Sequence, residues 1–224
     1  MVSGRETSLR FLSVRIPVAR EGVPFILPLL GITVFFWVWG ASAGALFFSL
    51  LTGFVVSFFR DPERSIPEAD RAILSPADGK IIRIEPCREE LLLKGPALKV
   101  SIFMSVFNVH INRIPISGRI ADTAYRPGKF VSANLDKAST ANEQNALLLE
   151  TAGGERILLV QIAGLIARRI VCWVKKGDSV ERGRRFGLIR FGSRVDVYLP
   201  PGARIQARLG QKTRGGQTIL GYLP

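Results

Sequence analysis

From Pro24 to Phe59 the chain runs for 36 residues without a single charge. A helix that crosses a bilayer takes about 20 apolar residues, so this run is too long for one upright span and short for two full ones. The cluster Gly40-Ala41-Ser42-Ala43-Gly44, near its middle, supplies the small residues of a turn. The run therefore reads as a tight hairpin of two short hydrophobic helices, about 25–39 and 44–59. A cleaved signal peptide is the competing reading. Its apolar stretch spans only about 7–15 residues, and the basic segment before this run also carries Glu6 and Glu21.

Charge sets the expected topology. Arg5, Arg10, Arg15 and Arg20 precede the run, and Arg60, Arg64 and Arg71 follow it. Cytoplasmic flanks are enriched in Lys and Arg, and a hairpin satisfies both ends at once by keeping them on that side. The expectation is an inner-membrane protein with residues 1–62 as the N-terminal anchoring segment and residues 63–224 as a second domain on the cytoplasmic face. The whole chain carries +13, from 31 basic and 18 acidic residues. Such an excess points to a polyanionic partner, either nucleic acid or an anionic lipid surface. No nucleic-acid motif or basic stretch interleaved with aromatics is found, so no nucleic-acid partner is expected. Beside an apolar hairpin, the excess instead suits anionic headgroups.

Past Arg60-Asp61-Pro62 the texture changes to short apolar runs separated by turn signals. Lys80 to Ile84, Leu98 to Phe103, Ile157 to Ile162, Ile170 to Val174 and Val195 to Leu199 have the length and β-branched content of strands. Asp78-Gly79, Pro127-Gly128, Gly153-Gly154, Gly177-Asp178 and Pro201-Gly202 mark turns. Residues 132–149 are the main helix-or-loop candidate. The fold class expected is α+β and β-rich, a compact barrel-like or sandwich-like domain behind the helical hairpin. Residues 174–199 alternate strand, Gly turn and strand as in the hairpins of lipoyl carriers, but Lys175-Lys176 makes a poor carrier lysine. No dinucleotide-binding glycine pattern, P-loop or EF-hand is present.

The chemistry has few residues to choose from. The one histidine, His110, excludes any site built on two or three His ligands, and Cys87 and Cys172 lie too far apart for a CxxC pair. Singly, the candidates are ambiguous. His110 in an apolar stretch also reads as a packed core residue, Asp78 as part of an Asp-Gly turn, and Ser193 as an ordinary residue between strands. Jointly, a serine, an imidazole and a carboxylate are what activates a hydroxyl at neutral pH.

Six blocks then carry a resemblance: LSPADGK (74–80), FMSVFNVHINRIP (103–115), YRPGKF (125–130), NEQN (142–145), VQIAGLIARRI (160–170) and FGSRVDVYLP (191–200). In this order and spacing they resemble the phosphatidylserine decarboxylases, above all the short membrane-anchored type. FFRDPER (58–64) is similar to that family's entry into the soluble domain. The resemblance implies a proenzyme that cuts itself between Gly192 and Ser193, giving a β chain of 1–192 and an α chain of 193–224. It implies Ser193 as nucleophile, converted to a covalent pyruvoyl group, with His110 as general base or acid and Asp78 orienting it. No metal is expected. The pyruvoyl carbonyl would take the amine of phosphatidylserine as a Schiff base, release carbon dioxide and yield phosphatidylethanolamine. Longer family members carry a second histidine in this block, so here His110 is expected to serve both steps.

Substrate contacts are assigned on the same basis to Arg194, Arg113, Lys129, Arg168, Arg169 and Phe107. Asn142 and Glu143 are read as holding a loop. Archaetidylserine or a related serine lipid as substrate, and a non-catalytic membrane-tethered lipoyl-like module, stay open as alternatives. Whether the chain forms a homo-oligomer is also left open by the sequence.

Overall fold

The helical hairpin stands on a β-rich domain, and its base is where the two parts touch. The computed structural model describes residues 17–128, 142–164, 169–190 and 193–224. After a short 3-10 turn at Arg20–Gly22 come α1 (Val23–Val38) and α2 (Ser42–Phe58), with positive φ at Gly40 turning the chain between them. Gly44 lets the helices approach, because a Cβ there would lie 2.5 Å from the Phe36 ring. Phe36 stacks on Phe48 at 5.1 Å, and Thr33 and Thr52 share a hydrogen bond of 3.0 Å between the helices. The outer faces stay apolar and exposed, with Leu27, Val34, Trp37, Leu46 and Leu50 among them. Arg20–Val38 is long and apolar enough to cross a membrane, and the second helix is apolar but shorter.

Among the described residues the domain holds fourteen strands: β1 (Ala72–Leu74), β2 (Gly79–Glu89), β3 (Gly95–Met104), β4 (Ile111–Arg113), β5 (Gly118–Arg126), β6 (Gln144–Glu150), β7 (Arg156–Ala163), β8 (Ile170–Cys172), β9 (Ser179–Val180), β10 (Arg185–Ile189), β11 (Ser193–Leu199), β12 (Arg204–Ile205), β13 (Lys212–Thr213) and β14 (Ile219–Tyr222). Eight form one curled sheet in the order β13-β2-β3-β11-β7-β6-β5-β9. Two small sheets, β1-β14-β12 and β4-β10-β8, close around it. This is the β-rich α+β class read from the sequence.

Strand alternation divides the large sheet into two apolar faces. Ile81, Val100, Ile102, Leu147, Leu149, Leu159, Val195 and Val197 fill the main core. Ala146, Leu148, Leu158, Val160 and Ile162 point the other way, where Leu92 and Leu93 help cover them. Residues 144–149, part of the helix-or-loop candidate, are strand β6. Its leucines are buried on both faces, so the run lacks the polar alternation that marks a half-exposed strand. The rest of that candidate, 132–141, lies outside the described residues.

Gly79 opens β2 where no side chain fits: a Cβ there would meet the Phe103 carbonyl oxygen at 2.2 Å. Gly79→Ala must push β2 off β3 beside Asp78, and it is expected to lower stability by about 2 kcal/mol or more. A urea titration of the purified protein checks this; an unchanged midpoint would show that the sheet gives way freely.

Candidate active site

Ser193 begins β11, the strand paired on both sides, opposite Met104 on β3 and Ala163 on β7. Its side chain is fully buried, and the hydroxyl donates to the Met104 sulfur at 3.4 Å. The site is assembled at this end of the three central strands. Gly192, the other half of the expected scissile bond, lies outside the described residues.

His110 arrives from the turn that follows β3. In that turn the Asn108 side-chain oxygen accepts from both the backbone N–H and the hydroxyl of Ser105, each at 2.9 Å. The turn aims the His110 ring inward, where it is 2% exposed and lies 4.2 Å, centroid to centroid, from the Phe58 ring at the end of α2. His110 Nδ1 is 3.0 Å from the Asn108 carbonyl oxygen. A carbonyl only accepts, so Nδ1 carries the proton and Nε2 keeps its lone pair. That Nε2 is buried without a hydrogen-bond partner. Burial lowers the His110 pKa to about 4, with nearby Arg60 acting in the same direction and the Asn108 bond opposing. The ring is therefore a neutral base at physiological pH.

Asp78 sits just before β2. Lys80 pairs with Phe103, and Phe103 with Arg194, which places Asp78 two strands from Ser193, about 10 Å away by strand spacing. The Arg113 N–H donates to the Pro76 carbonyl at 2.8 Å, tying the Asp78 loop to β4, which follows His110. The carboxylate itself is held elsewhere. Oδ2 pairs with Arg64 at 2.8 Å and Oδ1 accepts the Gly215 N–H at 2.7 Å. Asp78 and His110 share no hydrogen bond among the described residues. The structure thus gathers the three segments at one end of the sheet but gives the imidazole and the carboxylate separate partners.

The expected substrate contacts fall into different places. Arg194 neighbours Ser193 on a strand and so faces the opposite side of the sheet; it is fully buried, with Nε 2.8 Å from Asp196. Arg113 is also buried, donating to the carbonyls of Gly183 at 3.0 Å and Pro62 at 2.8 Å. Phe107 is 75% exposed at the hairpin base, edge-on to Phe54 at 6.2 Å. Arg169 is exposed, and Lys129 and Arg168 lie outside the described residues. Asn142 donates to the Ala163 carbonyl at 2.6 Å, and Glu143 accepts from the Tyr125 hydroxyl at 3.1 Å.

Sequence reasoning missed two features. One is Arg64, the partner of Asp78, which belongs to the strap between α2 and β1. Asp61 pairs with Arg185 at 2.6 Å, and Arg64 also donates to Gln217, so this strap is clamped onto the domain. The other is a buried amide chain. Asn145 donates to Gln161 at 2.9 Å, Gln161 to Asn112 at 2.8 Å, and Asn112 to the Met104 sulfur at 3.7 Å. It ends on the sulfur that Ser193 also touches. Four of its members lie within the quoted blocks, but only strand register shows that they meet. Among the described residues no group of three or more His, Cys, Asp or Glu side chains is placed to hold a metal.

The family model for phosphatidylserine decarboxylase matches residues 51–221, most of the chain and all of this site. The chain belongs to the phosphatidylserine decarboxylase family. A protein named phosphatidylserine decarboxylase proenzyme from Geobacter metallireducens is 52% identical over 213 residues, covering 93% of this chain and 97% of its own. A second from Syntrophus aciditrophicus is 50% identical over 206 residues, covering 91% and 96%. A third from Desulfotalea psychrophila is 49% identical over 216 residues, covering 95% and 99%. Membership sets aside the non-catalytic lipoyl-like module.

Proposed function

We propose that this chain is a self-processing phosphatidylserine decarboxylase whose Ser193 hydroxyl attacks the Gly192 carbonyl with His110 as the base. The supporting observation is the His110 ring: buried, neutral, and holding a lone pair on Nε2 that nothing else uses. The Asn108 carbonyl fixes the tautomer, a task usually given to a carboxylate. Asp78 braces the same end of the sheet from between Arg64 and Gly215, and it orients His110 directly only by exchanging Arg64 for the imidazole. Attack through the hydroxyl turns the peptide into an ester; β-elimination then releases the upstream chain as its Gly192 carboxylate and leaves dehydroalanine at residue 193, which water hydrolyses to a pyruvoyl group with loss of ammonia.

The surroundings suit that group. Residue 193 is shielded from water, and the buried Nε2 of His110, on the turn after the strand that pairs with it, is able to give or take a proton. When present, the pyruvoyl carbonyl supplies the electron sink for decarboxylation of an amino acid headgroup. In that step His110 moves the proton, and Phe58, packed against its ring, excludes water on the hairpin side. The apolar hairpin holds the domain at the membrane, on the cytoplasmic face by its flanking arginines, so the acyl chains of phosphatidylserine stay in the bilayer.

Incubating the purified protein with phosphatidylserine vesicles, beside vesicles of an ether-linked serine lipid, tests the substrate by lipid mass spectrometry. Phosphatidylethanolamine is expected from the first. Processed protein that yields none would overturn the assignment.

Cleavage at residue 193 need not separate the pieces. The 193–224 segment supplies β11, paired to β3 and β7, as well as β13 on β2 and β14 on β1. Its buried Val195, Val197, Leu199 and Leu220 lie in the main core. The two fragments are expected to run together under native conditions and to part only in denaturant, by native against denaturing mass spectrometry. Spontaneous loss of the small fragment would contradict this packing.

A further inference from the structure

Two arginines meet at the foot of the hairpin. Ile189 of β10 lies opposite Ile170 of β8, and one step beyond, the Arg190 N–H donates to the Arg169 carbonyl at 3.2 Å. Arg190 and Arg169 are thus cross-strand neighbours, and like charges so placed repel unless something lies between them. Among the described residues neither guanidinium makes an ion pair. The nearby carboxylate, Glu143, is engaged by the Tyr125 hydroxyl and faces the Ile170 N–H.

The Arg190 guanidinium lies over Phe25, in the first turn of α1, at 5.3 Å from the ring centroid, and Phe25 stacks on Phe59 at 5.7 Å. That stacking fixes the plane of the fork and leaves its edge for an oxyanion. Arg190 Nε is shielded from water and has no hydrogen-bond partner. An oriented guanidinium with an unmet donor, opposed by a second cation, suits bidentate binding of a phosphate. The foot of an apolar hairpin is also the level of lipid headgroups, and Arg190 is only three residues from Ser193.

We infer that Arg190 and Arg169 together hold the phosphodiester of the lipid substrate. This rests on the reading of the chain as a phospholipid decarboxylase, and it adds to that reading the residues that grip the phosphate. Arg190, stacked and oriented, makes the stronger contact; Arg169, exposed, closes over the ligand from the neighbouring strand.

The test begins with binding, so that it does not depend on turnover. Full-length Ser193→Ala protein is titrated calorimetrically with dihexanoyl phosphatidylserine, dihexanoylglycerol and inorganic phosphate. Adding Arg190→Gln is expected to weaken phosphatidylserine at least tenfold and Arg169→Gln several-fold, with dihexanoylglycerol unchanged and Arg190→Lys recovering part of the loss. Unchanged phosphatidylserine affinity in both variants, or an equal loss for dihexanoylglycerol, would overturn the site. Inorganic phosphate binding as tightly as the phospholipid would overturn the lipid assignment. In the processed enzyme, Arg190→Gln is expected to raise KM at least tenfold with kcat little changed. If unsubstituted protein turns over no phosphatidylserine, the decarboxylase reading fails, while the calorimetry still decides the phosphodiester site.

Discussion

Ser193→Ala is expected to stay one uncut chain of 224 residues, while unsubstituted protein resolves into pieces of 192 and 32 residues on a denaturing gel. The smaller piece should resist Edman degradation, because a pyruvoyl terminus has no amine. The loss should be complete. Removing the hydroxyl takes away the only atom on residue 193 that can attack the preceding carbonyl. The fold should survive, since Ser193 sits on a strand held on both sides and loses only a weak contact to a thioether. Circular dichroism separates a processing defect from a folding defect. Two pieces from Ser193→Ala at the same bond would end the assignment.

Much of this fold is legible in the residues because the relevant signals are local. Thirty-six uncharged residues broken by a cluster around Gly40 require two short apolar helices, and α1 and α2 lie within two residues of the expected bounds at each end. Strand β6 was less legible, because Ala146 to Leu149 is buried on both faces and carries no period of two.

At the site the same division holds. Adjacent residues on a strand face opposite sides, so Ser193 and Arg194 could have been separated from the sequence once β11 was recognised. The Arg64–Asp78 pair could not, since it depends on how the strap folds back over the domain. The Arg169–Arg190 pair likewise follows only from the register of β8 against β10. Register is a tertiary property, and residues about 20 apart become neighbours only through it.

The environment of His110 makes its pH behaviour the sharper test of the base. For an exposed histidine, self-cleavage would lose its base as pH falls through about 6.5. Here burial disfavours the imidazolium and moves the folded value to about 4. The processing rate of newly made proenzyme is therefore expected to be flat from pH 8 to about pH 5 and to fall only below that.

Stability carries the same sign. The unfolded chain binds the proton first, so stability is unaffected by this group above about pH 6.5. It then declines as pH falls towards 4, by a total of about 3 kcal/mol. Denaturant midpoints across that window in the uncut Ser193→Ala chain would show the decline, and His110→Gln should abolish it. In an otherwise unsubstituted chain, His110→Gln should slow processing by about 10²–10⁴-fold, the usual range for a positioned base. A processing rate with its midpoint near pH 6.5 would mean that the imidazole meets water or a carboxylate before it meets Ser193. Asp78 would then have to leave Arg64 for His110 during the reaction, because a carboxylate on Nδ1 raises the imidazole pKa whereas a carbonyl in a dry pocket leaves it low.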